Sequence, residues 1–190
     1  MATLIDCGTN LGQGLDKVSK LEGVDANWKV YSFEANPNTF KRLVKRDNVI
    51  YHNKAVSDSY ASCVFNCEEW VEEADHIGGG STLMELDHWK TERVYGNRPK
   101  YVQIVVESID LGAFMSDLRL NDRECVMKMD IEGSEYVVLQ RLRDLGLFSK
   151  ISRLYIEFHD HILSAHPTGN GADYWMTVLQ NHGVEVVRWY

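Results

Sequence analysis

Thr3-Leu4-Ile5-Asp6-Cys7-Gly8-Thr9-Asn10-Leu11-Gly12 opens the chain with a short apolar run, an acid at its end and two glycines four residues apart. Thr3 to Asp6 reads as a strand. Leu11, Leu15, Val18 and Leu21 then recur at helical spacing and Gly23 supplies a C-terminal cap, so the glycine turn joins a strand to a helix. Such a turn lets a ligand approach the backbone, because Gly8 and Gly12 carry no obstructing side chain. A dinucleotide site would read G-x-G-x-x-G, whereas this turn reads Asp6-x-Gly8-x-Asn10-x-Gly12-x-Gly14.

Outward from the turn, short apolar runs alternate with helical periodicity, the pattern of a parallel sheet covered on both faces. Lys29 to Glu34 is the second strand, and Asn36-Pro37 is the N-cap and first position of a helix with the stripe Phe40, Leu43 and Val44. Val49 to His52 is the third strand. Ser62 to Cys67 is another, and after the polar stretch 68–100, with Gly78-Gly79-Gly80, comes the β-rich run Tyr101 to Val106. An inserted β-hairpin or lid is expected there. Cys125 to Asp130 and Ile151 to Phe158 read as strands, Ser134 to Leu145 and Asp173 to His182 as helices, and Val184 to Trp189 as a last strand. The expected fold is a single α/β domain over residues 1–190, a doubly wound, Rossmann-like and mostly parallel sheet.

The chain has 190 residues, 44% of them hydrophobic, which suits one core. With 28 Asp plus Glu against 20 Lys plus Arg, no long-range field draws it to phosphate backbones or anionic membranes, so nucleic acid is a weak candidate partner. Cys7, Cys63, Cys67 and Cys125 lack paired CxxC spacing, and a metal at Cys63 and Cys67 is not expected on a strand. No apolar run approaches a membrane span and the first strand follows Met1 almost directly, so a soluble, cytoplasmic protein is expected.

A carboxylate at Asp6 would repel a pyrophosphate but suits a ligand with an ammonium and a sulfonium, the charges of S-adenosylmethionine. Glu34, ending the second strand, is placed to accept hydrogen bonds from two ribose hydroxyls. The plainer alternative makes both acids polar strand ends. Asp130 ends its strand at the edge where ligands sit in open α/β sheets, with Glu132 and Glu135 at the start of the next helix. Asp130 or Glu132 is a candidate base for a hydroxyl proton, while Glu135 is equally well a partner of the helix dipole. Lys128 should share Asp130's side of the strand and pair with a carboxylate. His159 is a third candidate base, since an unperturbed imidazole titrates near neutrality. His159 and His161 with Asp130 form a loose set for a divalent cation, and no metal is expected from it.

The turn Ile5 to Gly12, the segment Phe33-Glu34-Ala35-Asn36-Pro37 and the block Met127-Lys128-Met129-Asp130-Ile131-Glu132-Gly133-Ser134-Glu135 resemble the FkbM family of methyltransferases. Asn53 to Asp58 and Val106 to Leu111 resemble its intermediate blocks. The resemblance implies S-adenosylmethionine as cofactor, with Asp6, Gly8, Asn10 and Gly12 around its methionine part, Glu34 at the ribose and Ala55 facing the adenine. Many methyltransferases place an acid beside that last position, where this chain has Lys54. Gly78-Gly79-Gly80 with Ser81-Thr82 resembles a family element before the substrate side and suits a lid. Trp70, Trp89 and Tyr95 are candidates for stacking on an acceptor, and Glu68, Glu69, Glu72, Glu73 and Asp75 for a solvated helix face.

The expected activity is O-methylation of a small molecule or carbohydrate. An RNA ribose 2'-O-methyltransferase and a non-catalytic cofactor-binding module are the alternatives. A methyltransferase sheet ends in an antiparallel hairpin, and here only Val184 to Trp189 is available, so that strand pair is truncated. The last strand is absent, replaced or contributed by a neighbour, and the third alternative implies a homo-oligomer.

Overall fold

A computed structural model describes residues 2–68, 80–84, 101–160 and 167–189. The strands are β1 (Thr3–Cys7), β2 (Lys29–Phe33), β3 (Val49–His52), β4 (Ala55–Ser57), β5 (Ser62–Glu68), β6 (Tyr101–Asp110), β7 (Cys125–Met129), β8 (Ile151–Ile156) and β9 (Glu185–Arg188). The helices are α1 (Gln13–Glu22), α2 (Pro37–Arg42), α3 (Leu111–Asp117), α4 (Glu135–Asp144) and α5 (Ala172–Asn181). Six strands form one sheet in the order β3-β2-β1-β7-β8-β9, and every neighbouring pair is parallel. The chain winds outward from β1 in one direction and from β7 in the other, so strand order reverses between them. Ligands of open α/β sheets bind at this switch point, beyond the carboxyl ends of the strands.

The buried strands read as near-continuous apolar runs because both faces are covered. Alternate residues go to opposite layers: Ile5, Cys7, Met127 and Met129 join Tyr136, Leu139, Leu142 and Trp175 beneath α4 and α5, whereas Leu4, Val30 and Val126 pack with Leu15 and Val18 of α1. Burying Leu15 and Val18 contributes about 1.5–3 kcal/mol each. Leu21 was expected on this stripe but is 60% exposed, since it lies about 120° round the helix from Leu15.

Local signals set the helix ends. Asn36 caps α2, its side chain accepting from the N–H of Asn38 at 2.9 Å and of Thr39 at 3.4 Å. Gly23 closes α1 at φ 64°. The stripe expected on α2 loses Val44, because the backbone is already extended at Leu43, and Val44 is 83% exposed.

The hairpin is real, but its arms lie outside the main sheet. β5 pairs antiparallel with β6, and β6 pairs in parallel with β4 on its other side. β6 runs four residues beyond the expected Val106, to Asp110, which ends it by accepting from the N–H of Ala113 and from the Arg141 guanidinium, tying α3 to α4. The stretch between the arms falls mostly outside the described residues, and with it Trp70, Trp89, Tyr95 and the acids from Glu69 to Asp75. Residues 80–84 return to the body, where Asn66 and Thr82 exchange backbone hydrogen bonds of 2.8 and 2.9 Å. β9 pairs directly with β8, and among the described residues no antiparallel strand accompanies it. No helix among them is long and apolar enough to cross a membrane.

Candidate functional site

The glycine turn is bound to the strands on either side of it. Gly8 and Thr9 both donate their N–H to the Phe33 carbonyl at the end of β2, and the N–H of Asp130, beyond β7, donates to the Cys7 carbonyl. Gly8 has φ 81°, and a Cβ there would stand 1.8 Å from the Asp130 carbonyl oxygen. Only glycine permits that approach. Asn10, also left-handed at φ 51°, directs its N–H to Glu34 Oε2 at 2.7 Å.

Asp6 and Gly12 shape this turn and are not among the residues that line the cavity described below. Asp6 is fully buried below the loop, where its Oδ2 accepts from the Thr9 hydroxyl at 2.7 Å. Burial raises its pKa, opposed by Lys128 and Thr9. Gly12 is the N-cap of α1, and a Cβ there would meet Leu43. Lys128 pairs as expected: its Nζ donates to the Gly8 carbonyl at 2.6 Å and to Asp130 Oδ2 at 3.1 Å, and lies 3.9 Å from Asp6 Oδ1. Burial works against its charge, but Asp130 and Asp6 outweigh that and hold its pKa above the ordinary lysine value. The charge of Asp6 is thereby compensated, so the acids that a ligand meets are others.

A cavity opens at the switch point, lined by Gly8, Asn10, Glu34, Ala55, Asp130 and Glu132 among the expected residues. Phe33, Ala35, Val56 and Phe65 give it an apolar wall, and Ser81 and Leu83 of the insertion close another side. Phe33, which ends β2, and Phe65, in the middle of β5, escaped the sequence reading because an apolar run gives no sign of which member faces a cavity. Lys54 lines the same wall as Ala55, where an acid is common.

Glu34 is 8% exposed, and each carboxylate oxygen accepts one backbone N–H, from Asn36 at 2.8 Å and from Asn10 at 2.7 Å. One further lone-pair direction remains on each oxygen, matching the two hydroxyls of a ribose. Asn53 fixes the backbone here by donating to the carbonyls of Glu34 and Ala35. Burial pushes Glu34 up to about 7, opposed by those two N–H groups and by Lys128.

The block after β7 is a strained turn with carboxylates on two sides. Glu132 holds φ 53° and Gly133 φ 101°. Thr82 secures the bend, its hydroxyl donating to the Glu132 carbonyl at 2.6 Å, so the insertion is hooked to the turn after β7. Glu135, the first residue of α4, is fully buried and faces away from the cavity: Oε1 accepts from the N–H of Ile131 and Oε2 from that of Gly133. Of the two roles open to it, it takes the structural one.

His159 lies behind Asp130 and Glu132. Its Nδ1 is 2.9 Å from Glu135 Oε1, and its Nε2 is 3.4 Å from Glu132 Oε2 and 3.9 Å from both Asp130 Oδ1 and Glu157 Oε1. Burial works against a charged ring, yet Glu135, Glu132 and Asp130 outweigh it and carry the pKa up to about 10. The ring is not among the residues that line the cavity, and it stands behind the two acids that do. His161 lies outside the described residues.

The model of the methyltransferase FkbM domain matches residues 6–186. No curated protein sequence matches the chain. A crystal structure of methyltransferase FkbM from Methylobacillus flagellatus KT is similar at 14% identity and a TM-score of 0.41, over 76% of this chain and 29% of that one.

Proposed function

The chain belongs to the FkbM methyltransferase family, and from that premise we propose that it transfers a methyl group from S-adenosylmethionine to a hydroxyl oxygen of a small molecule or carbohydrate. One observation carries the reading: a single cavity is walled by the glycine turn and Glu34 on one side and by Asp130 and Glu132 on the other. Gly8 and Asn10 would lie against the amino-acid part of the cofactor, Glu34 would accept from its ribose, and Ala55 with Val56 and Phe65 would cover the adenine. When bound, the cofactor supplies an electrophilic methyl group on a sulfonium. Asp130 and Glu132 orient the acceptor for an in-line approach and receive its proton as the new bond to oxygen forms. Lys128 is occupied by the Gly8 carbonyl, Asp130 and Asp6, so it is not the free lysine base that the RNA alternative calls for. All four cysteines are free thiols, in keeping with action in the cytoplasm.

Transfer of radiolabelled methyl from S-adenosylmethionine to a panel of hydroxylated small molecules and glycans tests the activity. Label in an ether product supports it, and label found only in RNA contradicts it.

Glu34 adds a pH dependence. A carboxylate accepts from two hydroxyls only when ionised, so binding is lost as pH falls through a pKa of about 7. The neighbouring charges are Asp6, which opposes ionisation, and Lys128, which favours it. Lys54 stands on the cavity wall. Affinity for S-adenosylhomocysteine should fall about tenfold between pH 8 and pH 6. Calorimetry in two buffers of different ionisation enthalpy should register proton release at pH 7, and a flat profile in a Glu34→Gln variant would assign the dependence.

A further inference from the structure

Behind the cavity wall, one oxygen each of Asp130 and Glu132 and one nitrogen of His159 lie within 4.8 Å of one another. They come from the turn after β7 and from the end of β8, elements that the parallel pairing brings side by side. The imidazole is deliberately oriented. Glu135, fixed by the N–H groups of Ile131 and Gly133, holds Nδ1, and this turns Nε2 toward Glu132, Asp130 and Glu157. Lys128 does the same for Asp130: it takes Oδ2, leaving Oδ1 as the oxygen that faces Nε2.

A metal-bound histidine commonly presents its other ring nitrogen to a carboxylate, which sets tautomer and orientation together. Glu135, fully buried and in contact with Nδ1, has that relation to His159. Ligand atoms bound at about 2.1 Å stand about 3.0 Å apart in an octahedral site and about 3.4 Å apart in a tetrahedral one. The separations of 3.4 and 3.9 Å from Nε2 need only small side-chain rotations to reach such geometry. A cation bound there would displace the proton from Nε2 and take its place among the three carboxylates.

We propose that Asp130, Glu132 and His159 bind a divalent cation beside the methyl-donor cavity, with Glu135 as the group that orients the histidine. Oxygen ligands in the majority favour a hard ion, Mg²⁺ or Mn²⁺. Because Asp130 and Glu132 also line the cavity, the ion sits where it can hold a hydroxyl or vicinal diol of the acceptor. That purpose rests on the methyl-transfer reading; the ligand set does not.

The test uses the whole chain, stripped with EDTA and titrated with Mn²⁺ under electron paramagnetic resonance. One bound ion per chain is expected, with a nitrogen coupling in the pulsed spectrum that marks an imidazole ligand. Glu135→Gln should weaken binding about 10–100-fold, and His159→Gln should abolish the nitrogen coupling, with circular dichroism reporting that each variant is folded. Absence of bound Mn²⁺ in the wild type, binding without nitrogen coupling, or unchanged affinity in a folded Glu132→Gln variant overturns the proposal. The wild-type spectrum decides the matter even if the variants fail to fold. Titrating the same stripped protein with S-adenosylhomocysteine separates the two readings. Nucleoside binding without Mn²⁺ binding defeats the cation alone, and the converse defeats the cofactor assignment alone.

Discussion

A Gly8→Ala variant should lose cofactor binding altogether and destabilise the fold by about 3–5 kcal/mol. The added methyl would stand 1.8 Å from the Asp130 carbonyl oxygen, and the backbone at φ 81° is one that alanine adopts only with strain. Relief requires β1 and the turn after β7 to separate, yet the hydrogen bond from Asp130 N–H to the Cys7 carbonyl and the contact of Lys128 with the Gly8 carbonyl oppose it. The damage therefore reaches the cavity and the sheet's switch point together. Thermal denaturation should show a fall of roughly 10 °C or more. Gly23→Ala is the control: it has a similar φ of 64° but nothing within 4 Å of the added carbon, so only the smaller backbone cost remains.

Replacing Asp130 by Asn should lower kcat about 10²–10⁴-fold while S-adenosylhomocysteine binds within a few-fold of wild type. The carboxamide keeps an oxygen for Lys128 and almost the same volume, so the turn stays closed. What disappears is the negative charge that receives or directs the acceptor's proton. Asp130 is partly exposed to the cavity, whereas the pocket's nucleoside side is built from Glu34 and Asn10. A loss of binding as large as the loss of turnover would instead make Asp130 a cofactor ligand.

Features governed by neighbours in sequence were legible before any coordinates. The strand-turn-helix over Thr3 to Glu22, the Asn36-Pro37 cap and the six parallel strands all follow from periodicity and local capping chemistry. β4 and α3 were missed because three and seven residues carry no measurable period. α3 also contains Gly112, whose missing side chain accommodates Leu145 from the end of α4, a contact no window of sequence contains. At the site, Glu34, Asp130 and Glu132 were nameable from their place at strand ends on the edge where ligands bind, and Gly8, Asn10 and Ala55 from the family resemblance; all six line the cavity. The protonation of His159 was not. It depends on Glu135, 24 residues away, and on Glu132 and Asp130 in the turn after β7. Thr82 was equally hidden, since its hook on the Glu132 carbonyl spans 50 residues.

A crystal structure of the chain with S-adenosylhomocysteine tests the account most directly. The ribose hydroxyls should lie on the two oxygens of Glu34, with the sulfur directed into the space bordered by Asp130 and Glu132. A nucleoside bound elsewhere, or bound with its sulfur turned away from those two carboxylates, would contradict it.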